Sequence, residues 1–381
     1  MNIVIAILVF SVIIIIHELG HFWAARSCGI LVEEFAIGMG PKIFGVKRGD
    51  TVFSLRMFPI GGSCRMLGDE AEPIKSKNTP ESFEDEELKP GKTLSADGRS
   101  FPSKPVWKRL IVIAAGSVMN AVLAFCMMFA IFSTNGFLDT TVGSVVEGFP
   151  AQAAGILPGD RISRVNGRKM LVRSDISEAI AAAVRNNPGQ ATEIEIIRDG
   201  RKHIFNLTPQ FNPAEDQYMI GFSYEPKLGL FSRMPGGIDI ARASFGDTVR
   251  TSANMCVFLV RSTYQVIGML MTRQASIGEL MGPIGIVSVI GEAFEQSISI
   301  SLSAALTDMM WLVSLLSVNL AVLNLLPLPM LDGGRIIFLL IEGVRRKPIN
   351  PEKEGIIHFA GFVLLMILAV FVAYNDILKL I

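Results

Sequence analysis

The sequence predicts a polytopic α-helical membrane protein with about four transmembrane helices and an inserted extracytoplasmic α+β module. Three observations point there. Half of the 381 residues are hydrophobic, and mean hydropathy is +0.45. Four stretches, Ile3 to Trp23, Leu110 to Phe132, Ala304 to Leu326 and Ile356 to Tyr374, each approach the ~20 residues that a ~30 Å hydrocarbon core requires. Between the second and third lies a polar segment with strand and helix patterning of its own. The 35 Lys and Arg are balanced by 35 Asp and Glu, which leaves no basic field for nucleic acid, and no nucleic-acid-binding motif occurs.

The first stretch, "MNIVIAILVFSVIIIIHELGHFWAARS", has no Lys or Arg before it, and its first basic residue, Arg26, follows it. That order predicts a retained span rather than a cleaved signal peptide. Arg26, Lys42, Lys47 and Arg48 follow span one, and Lys104, Lys108 and Arg109 precede span two. Arg345, Arg346 and Lys347 follow span three. The positive-inside rule places both loops in the cytosol and both termini outside. The four cysteines, Cys28, Cys64, Cys126 and Cys256, form no CxxC pair and read as unpaired.

After span one, Gly49 to Leu67 carries β-formers on both sides of Pro59-Ile60-Gly61-Gly62, which predicts a hairpin or irregular loop. The stretch from Gly68 to Ser100 is polar and rich in Pro, Lys and Glu, and reads as a mobile loop. After span two, "AAGILPGDRISRVNG" leads into a helical stretch, "SDISEAIAAAVRNN". Two alternating strands joined by Asp199-Gly200 follow. The order and spacing of these residues resemble a PDZ domain of the bacterial protease-associated kind, over Thr140 to Tyr224. Such domains bind extended peptides by strand addition. From Pro235 to Glu292 the chain reads as an amphipathic segment lying on the outer leaflet, with "GPIGI" as a turn-rich interruption.

The chemistry sits in span one. "HELGH" fits H-E-x-x-H on a helix, where residues four apart share a face. His17 and His21 can therefore reach one Zn²⁺ at ~2.0–2.1 Å, with Glu18 beside them to take a proton from the attacking water. An ionisable group in a span costs a few kcal/mol at least and is presumed functional. A catalytic zinc needs a third protein ligand. His203 falls in the extracytoplasmic module, and His358 opens span four with no motif around it. Asp332 in "NLLPLPMLDGGR" is the better candidate, because Pro327 and Pro329 break the helix at the cytosolic end of span three.

Together, His17-Glu18-Leu19-Gly20-His21 and "NLLPLPMLDGG" from Asn324 to Gly334 resemble the site-2 protease family of intramembrane zinc metalloproteases. "EFAIGMGPKIF", "FPIGG" and "SKPVWKRLIVIAAGSVMN" match as well, and the inserted module places the chain near the bacterial RseP branch. Ser117 stands where that family usually has Pro, and "GGSCRM" replaces the commoner GGYVKM. Only one PDZ-like unit is evident.

The resemblance implies that His17, His21 and Asp332 bind Zn²⁺ and that Glu18 is the general base. Asn324 and Asn319 hold unwound substrate backbone. The 49–67 hairpin, with Gly61 and Gly62, is a cytosolic-side re-entrant loop offering its edge to substrate. The expected organisation is an N-terminal catalytic half over 1–132, a PDZ-like domain over 140–224, an amphipathic segment over 235–292 and a C-terminal catalytic half over 304–381. The expected function is regulated intramembrane proteolysis in a bacterial cell membrane, with the active site near the cytosolic face. Substrates would be single-span proteins such as pre-cleaved anti-sigma factors or remnant signal peptides, and a peptide could occupy the PDZ-like domain. The alternative is a non-catalytic metal-binding PDZ scaffold. A metal transporter is disfavoured, because spans two and four are poor in polar residues.

Overall fold

The computed structural model describes residues 2–68, 98–187, 189–213, 216–232, 240–274, 276, 278, 281–347 and 349–380. Positions 69–97 of the polar stretch expected to be a mobile loop lie outside the described residues. The chain forms two compact units, one from 1–124 and 263–381 and the other from 125–262.

In chain order the elements begin with helix α1 (Asn2–Ser27), strands β1 (Val32–Arg48) and β2 (Thr51–Met66), and helix α2 (Val106–Asn135). Then come β3 (Phe137–Val145), α3 (Pro150–Ala153), β4 (Arg161–Val165), β5 (Arg168–Lys169), α4 (Arg173–Asn186), β6 (Thr192–Arg198) and β7 (Arg201–Leu207). The rest are β8 (Gln210–Asn212), β9 (Gln217–Met219), β10 (Phe222–Lys227), α5 (Phe245–Met271), α6 (Pro283–Ile300), α7 (Leu302–Asn324), α8 (Asp332–Arg345) and α9 (Pro351–Leu380). Among the described residues four helices are long and apolar enough to cross a membrane: α1, α2, α7 and α9. With its β-sheets, this is a polytopic membrane protein. Helix α7 stops at Asn324 rather than Leu326, because Pro327 lacks an N–H and disfavours helical backbone just before it.

Helix α1 is apolar all round, so its sequence does not mark an inner face. Its buried stripe is Ala6, Val9, Ile13, His17, Gly20 and His21, at helical spacing. Small residues set the packing: a Cβ on Gly20 would lie 2.4 Å from the Ala115 carbonyl of α2, and one on Gly116 would lie 2.5 Å from His21 Nε2. Helices in lipid gain dispersion contacts by such close approach. Ser317 of α7 donates to the Asn120 carbonyl of α2 at 2.8 Å, and Arg109 of α2 pairs with Glu342 of α8.

The strand pairing puts two reversals in the 49–67 stretch, which was expected to be a hairpin or irregular loop. One is at Gly49-Asp50, with Arg48 facing Thr51; the other falls at Pro59 to Gly62, because Val52 to Leu55 pair with Glu34 to Ile37 in the same direction and Gly62 to Arg65 pair with them in the opposite one. Pro-Gly residues mark a bend here, and the two-residue Gly-Asp turn closes the hairpin. The opening of β1 is paired on both edges, since Glu34 to Ile37 face Val52 to Leu55 on one side and Gly62 to Arg65 on the other. Its core joins Phe35 and Phe53 to Phe22 of α1 at ring distances of 5.4 and 5.7 Å. Glu34 is buried beneath this sheet, receiving hydrogen bonds from Ser54, Arg56 and Arg65. Burial alone would raise its carboxyl, but these partners outweigh burial and hold its pKa below the usual carboxylate value.

The segment expected to be one amphipathic stretch over 235–292 contains two helices. "GPIGI" opens α6, with Pro283 in its first turn. Asp376 of α9 accepts the free N–H groups of Gly282 and Gly285 at 3.0 and 2.8 Å, a cap supplied from another helix.

In the 125–262 unit, strands run in the order β10-β3-β4-β6-β7, with β5 beside β4. Val142, Ile162, Ile176, Ile194 and Ile196 fill the core between the sheet and α4. Asp160, buried in the "LPGD" turn, accepts the Leu157 N–H at 2.8 Å and a fork from Arg198 at 2.7 and 2.6 Å. Burial pushes this carboxyl up, and the Arg198 and Leu157 donors more than reverse that, leaving its pKa lowered.

Candidate metal centre

His17 and His21 lie one helical turn apart on the buried stripe of α1, and their Nε2 atoms are 3.1 Å apart. Asp332 Oδ2 completes a triangle, 3.3 Å from His17 Nε2 and 3.5 Å from His21 Nε2. Asp332 begins α8, after a seven-residue connection that holds Pro327 and Pro329. The chain folds back so tightly there that a Cβ on Gly333 would lie 2.1 Å from the Leu326 carbonyl. Glycine after the aspartate is what lets the carboxylate point at α1.

The surroundings set which ring nitrogens carry lone pairs. His21 Nδ1 donates to the Val112 carbonyl of α2 at 2.8 Å, so its Nε2 is the unprotonated atom in the neutral ring. His17 Nδ1 lies 3.4 Å from the amide of Asn120, which is fully buried and whose Oδ1 has no other partner. An amide turned the other way accepts the His17 Nδ1 proton and satisfies both groups, since amide orientation is assigned by such networks. Both Nε2 atoms then face Asp332 Oδ2, itself buried without a hydrogen-bond donor. Three acceptors facing one another repel unless a cation lies between them. Their separations bracket the about 3.3 Å edge of a tetrahedron with metal–ligand bonds of ~2.0–2.1 Å. The residues fit a zinc ion.

Glu18, adjacent in sequence, sits about 100° around α1 from His17, near enough for the charges of His17, His21 and Asp332 to act on it. The Cys64 N–H of β2 donates to its carboxylate. Gly62 touches it as well, since a Cβ there would come 3.1 Å from Glu18 Cγ. Gly61, at φ +91°, packs instead against Met39 of β1. Asn324 Nδ2 reaches His17 Nε2 at 3.5 Å, at the edge of the cluster. Asn319 does not join it: its Oδ1 accepts from Thr263 of α5 at 2.7 Å. The two asparagines are five positions apart, roughly 140° around a helix at 3.6 residues per turn, so they cannot share a face. Asn120 and Val112 are contacts that sequence reading left without a role. A buried asparagine within a span is itself a signal, but what it serves depends on how α1 and α2 cross.

The match to peptidase family M50 covers residues 5–368. The chain is 31% identical to the regulator of sigma-W protease RasP of Bacillus subtilis, over 100% of this chain and 99% of that protein. It is 32% identical to zinc metalloprotease RasP of Shouchella clausii, with 98% of each chain covered. Against zinc metalloprotease RasP of Bacillus licheniformis it is also 32% identical, over the full length of both. With a zinc-fitting cluster joining its first span to α8 and a family match over nearly its whole length, the chain belongs to peptidase family M50.

Proposed function

We propose that the chain is a zinc-dependent intramembrane endopeptidase in which His17, His21 and Asp332 hold the metal and Glu18 is the general base. The carrying observation is the convergence at 3.1–3.5 Å of three buried acceptor atoms, two on the candidate membrane-spanning helix α1 and one at the start of α8. Zinc bound there supplies a Lewis acid that polarises the scissile carbonyl and makes water a usable nucleophile near neutral pH. Glu18 takes the proton of the attacking water and returns it to the leaving amine. Asn324, beside His17, offers an amide to the unwound substrate backbone, and β2 near Gly62 offers a strand edge. A helix opened in lipid exposes N–H and C=O groups at several kcal/mol each, so such partners are needed before its carbonyls can react. Asn319 is assigned to the α5–α7 contact instead.

The substrates are single-span membrane proteins already trimmed outside the membrane, of the anti-sigma-factor or signal-peptide kind. This reading is supported by the relative named for sigma-W regulation. The 140–224 segment is a PDZ-like module on the extracytoplasmic side, and its LPGD turn and strand order support peptide binding by strand addition. The basic residues flanking α1, α2 and α8 support a cell-membrane orientation with both termini outside and the hairpin re-entrant from the cytosolic face. Purified protein reconstituted with a trimmed single-span substrate should cut it within the span, and a zinc chelator should stop cleavage. Cleavage that persists in metal-free protein refutes the proposal.

A further inference from the structure

Met330, two residues before Asp332, has φ +78°, a left-handed conformation uncommon for any residue other than glycine. Its N–H donates to His358 Nδ1 of α9 at 2.9 Å. Three residues further along α9, Gly361 meets the same turn, where a Cβ would lie 2.4 Å from Pro329 Cβ. Residues three apart share a helix face, so α9 presses one face onto Pro329 and Met330. The imidazole is itself held. Accepting at Nδ1 leaves its proton on Nε2, which lies 3.7 Å from Glu354 Oε1 one turn earlier. The Phe338 ring of α8 packs edge-on at 5.4 Å. Burial alone would be served by leucine in a span whose other residues are mostly apolar. A polar ring in that position is costly in lipid, and what it adds is one acceptor atom aimed at one backbone N–H.

We infer that His358 is a positioning residue for the metal centre: by accepting the Met330 N–H it holds the left-handed turn that sets Asp332 Oδ2 against His17 and His21. The inference rests on Asp332 being a metal ligand, as proposed above. Without the acceptor, Met330 relaxes toward negative φ, the peptide planes before α8 rotate, and the carboxylate leaves its place. Groups that orient a ligand from behind are worth about 10–100-fold in metal affinity.

The test uses full-length protein in detergent, loaded with Co²⁺ as a spectroscopic probe of ligand geometry. H358L, which keeps bulk and removes the acceptor, should weaken Co²⁺ binding at least about tenfold and alter the visible absorption bands. H358Q, whose amide oxygen can take the same N–H, should recover most of the affinity and the wild-type spectrum. D332N separates the two readings. If D332N binds Co²⁺ like wild type, the ligand assignment fails and this inference with it. If D332N loses binding while H358L binds and absorbs like wild type, only the positioning role of His358 is overturned. Should H358L not fold, wild-type protein labelled with ¹⁵N-methionine still decides. The Met330 amide, identified by its absence in M330L, should exchange slowly, and exchange at the rate of an open turn overturns the inference.

Discussion

At the level of single residues, the site divides its labour by direction around α1. His17 and His21, four apart, face α2 and α8, whereas Glu18 is turned about 100° away toward β2, where Cys64 and Gly62 receive it. In the proposed mechanism, metal holding and proton transfer are therefore separable. Glu18→Gln should keep one zinc per chain by elemental analysis and lose at least about 10²-fold in turnover, the usual worth of a general base. Zinc loss in that variant would make Glu18 a ligand instead. Asp332→Asn should reverse the pattern, with zinc stoichiometry falling and activity falling with it. The histidines and Glu18 were legible in the sequence because H-E-x-x-H spacing alone places them on neighbouring faces of one helix. Asn120 and the Val112 carbonyl were not, since their partnership with the imidazoles exists only where Gly20 and Gly116 bring the two backbones together.

At the level of elements, hydropathy carried the spans and turn chemistry carried the Asp199-Gly200 hairpin, because both depend on residues adjacent in the chain. The β1–β2 arrangement was legible only in part, for the opposite reason. Pro59-Ile60-Gly61-Gly62 reads as a turn and the chain does reverse there, but that Glu34 to Ile37 insert between Val52 to Leu55 and Gly62 to Arg65 depends on residues distant in the chain. Likewise "GPIGI" reads as a turn until Asp376, far along the chain, caps it as a helix start. In the α+β module, Asp160 gathers the Leu157 N–H and the Arg198 fork. Asp160→Ala leaves those donors unpaired, so amides of β4 and β6 should exchange about one to two orders of magnitude faster. The sign of its pH dependence follows from its lowered pKa. Its contribution is complete above the unfolded value of ~3.9 and fades as pH falls through the folded value below that. Measured against the intrinsic rate at each pH, acid should therefore lower amide protection in wild type and leave Asp160→Ala less affected. Equal acid sensitivity of the two proteins would remove Asp160 from that role.

At the level of the whole molecule, the membrane decides what the chemistry can reach. A site built on α1 and on the break between α7 and α8 meets only chains that enter the bilayer laterally, and a spanning helix keeps its carbonyls hydrogen-bonded until something replaces those bonds. Such an enzyme needs a selection step, because many harmless single-span proteins share its membrane. The PDZ-like module is the proposed selector, since a domain that binds extended peptide responds to what protrudes outside the span. Two substrates sharing one transmembrane segment test this, one with an intact extracytoplasmic domain and one trimmed to a short stub. Wild type should cut the trimmed form much faster. A chain lacking 140–224 should cut both at similar rates, with its zinc content and its rate on the trimmed form retained. A deletion that preserves the preference for the stub would place selection in the span itself, where β2 and Asn324 compete for the unwound backbone. Helix-breaking residues in the substrate would then set the rate whatever protrudes outside.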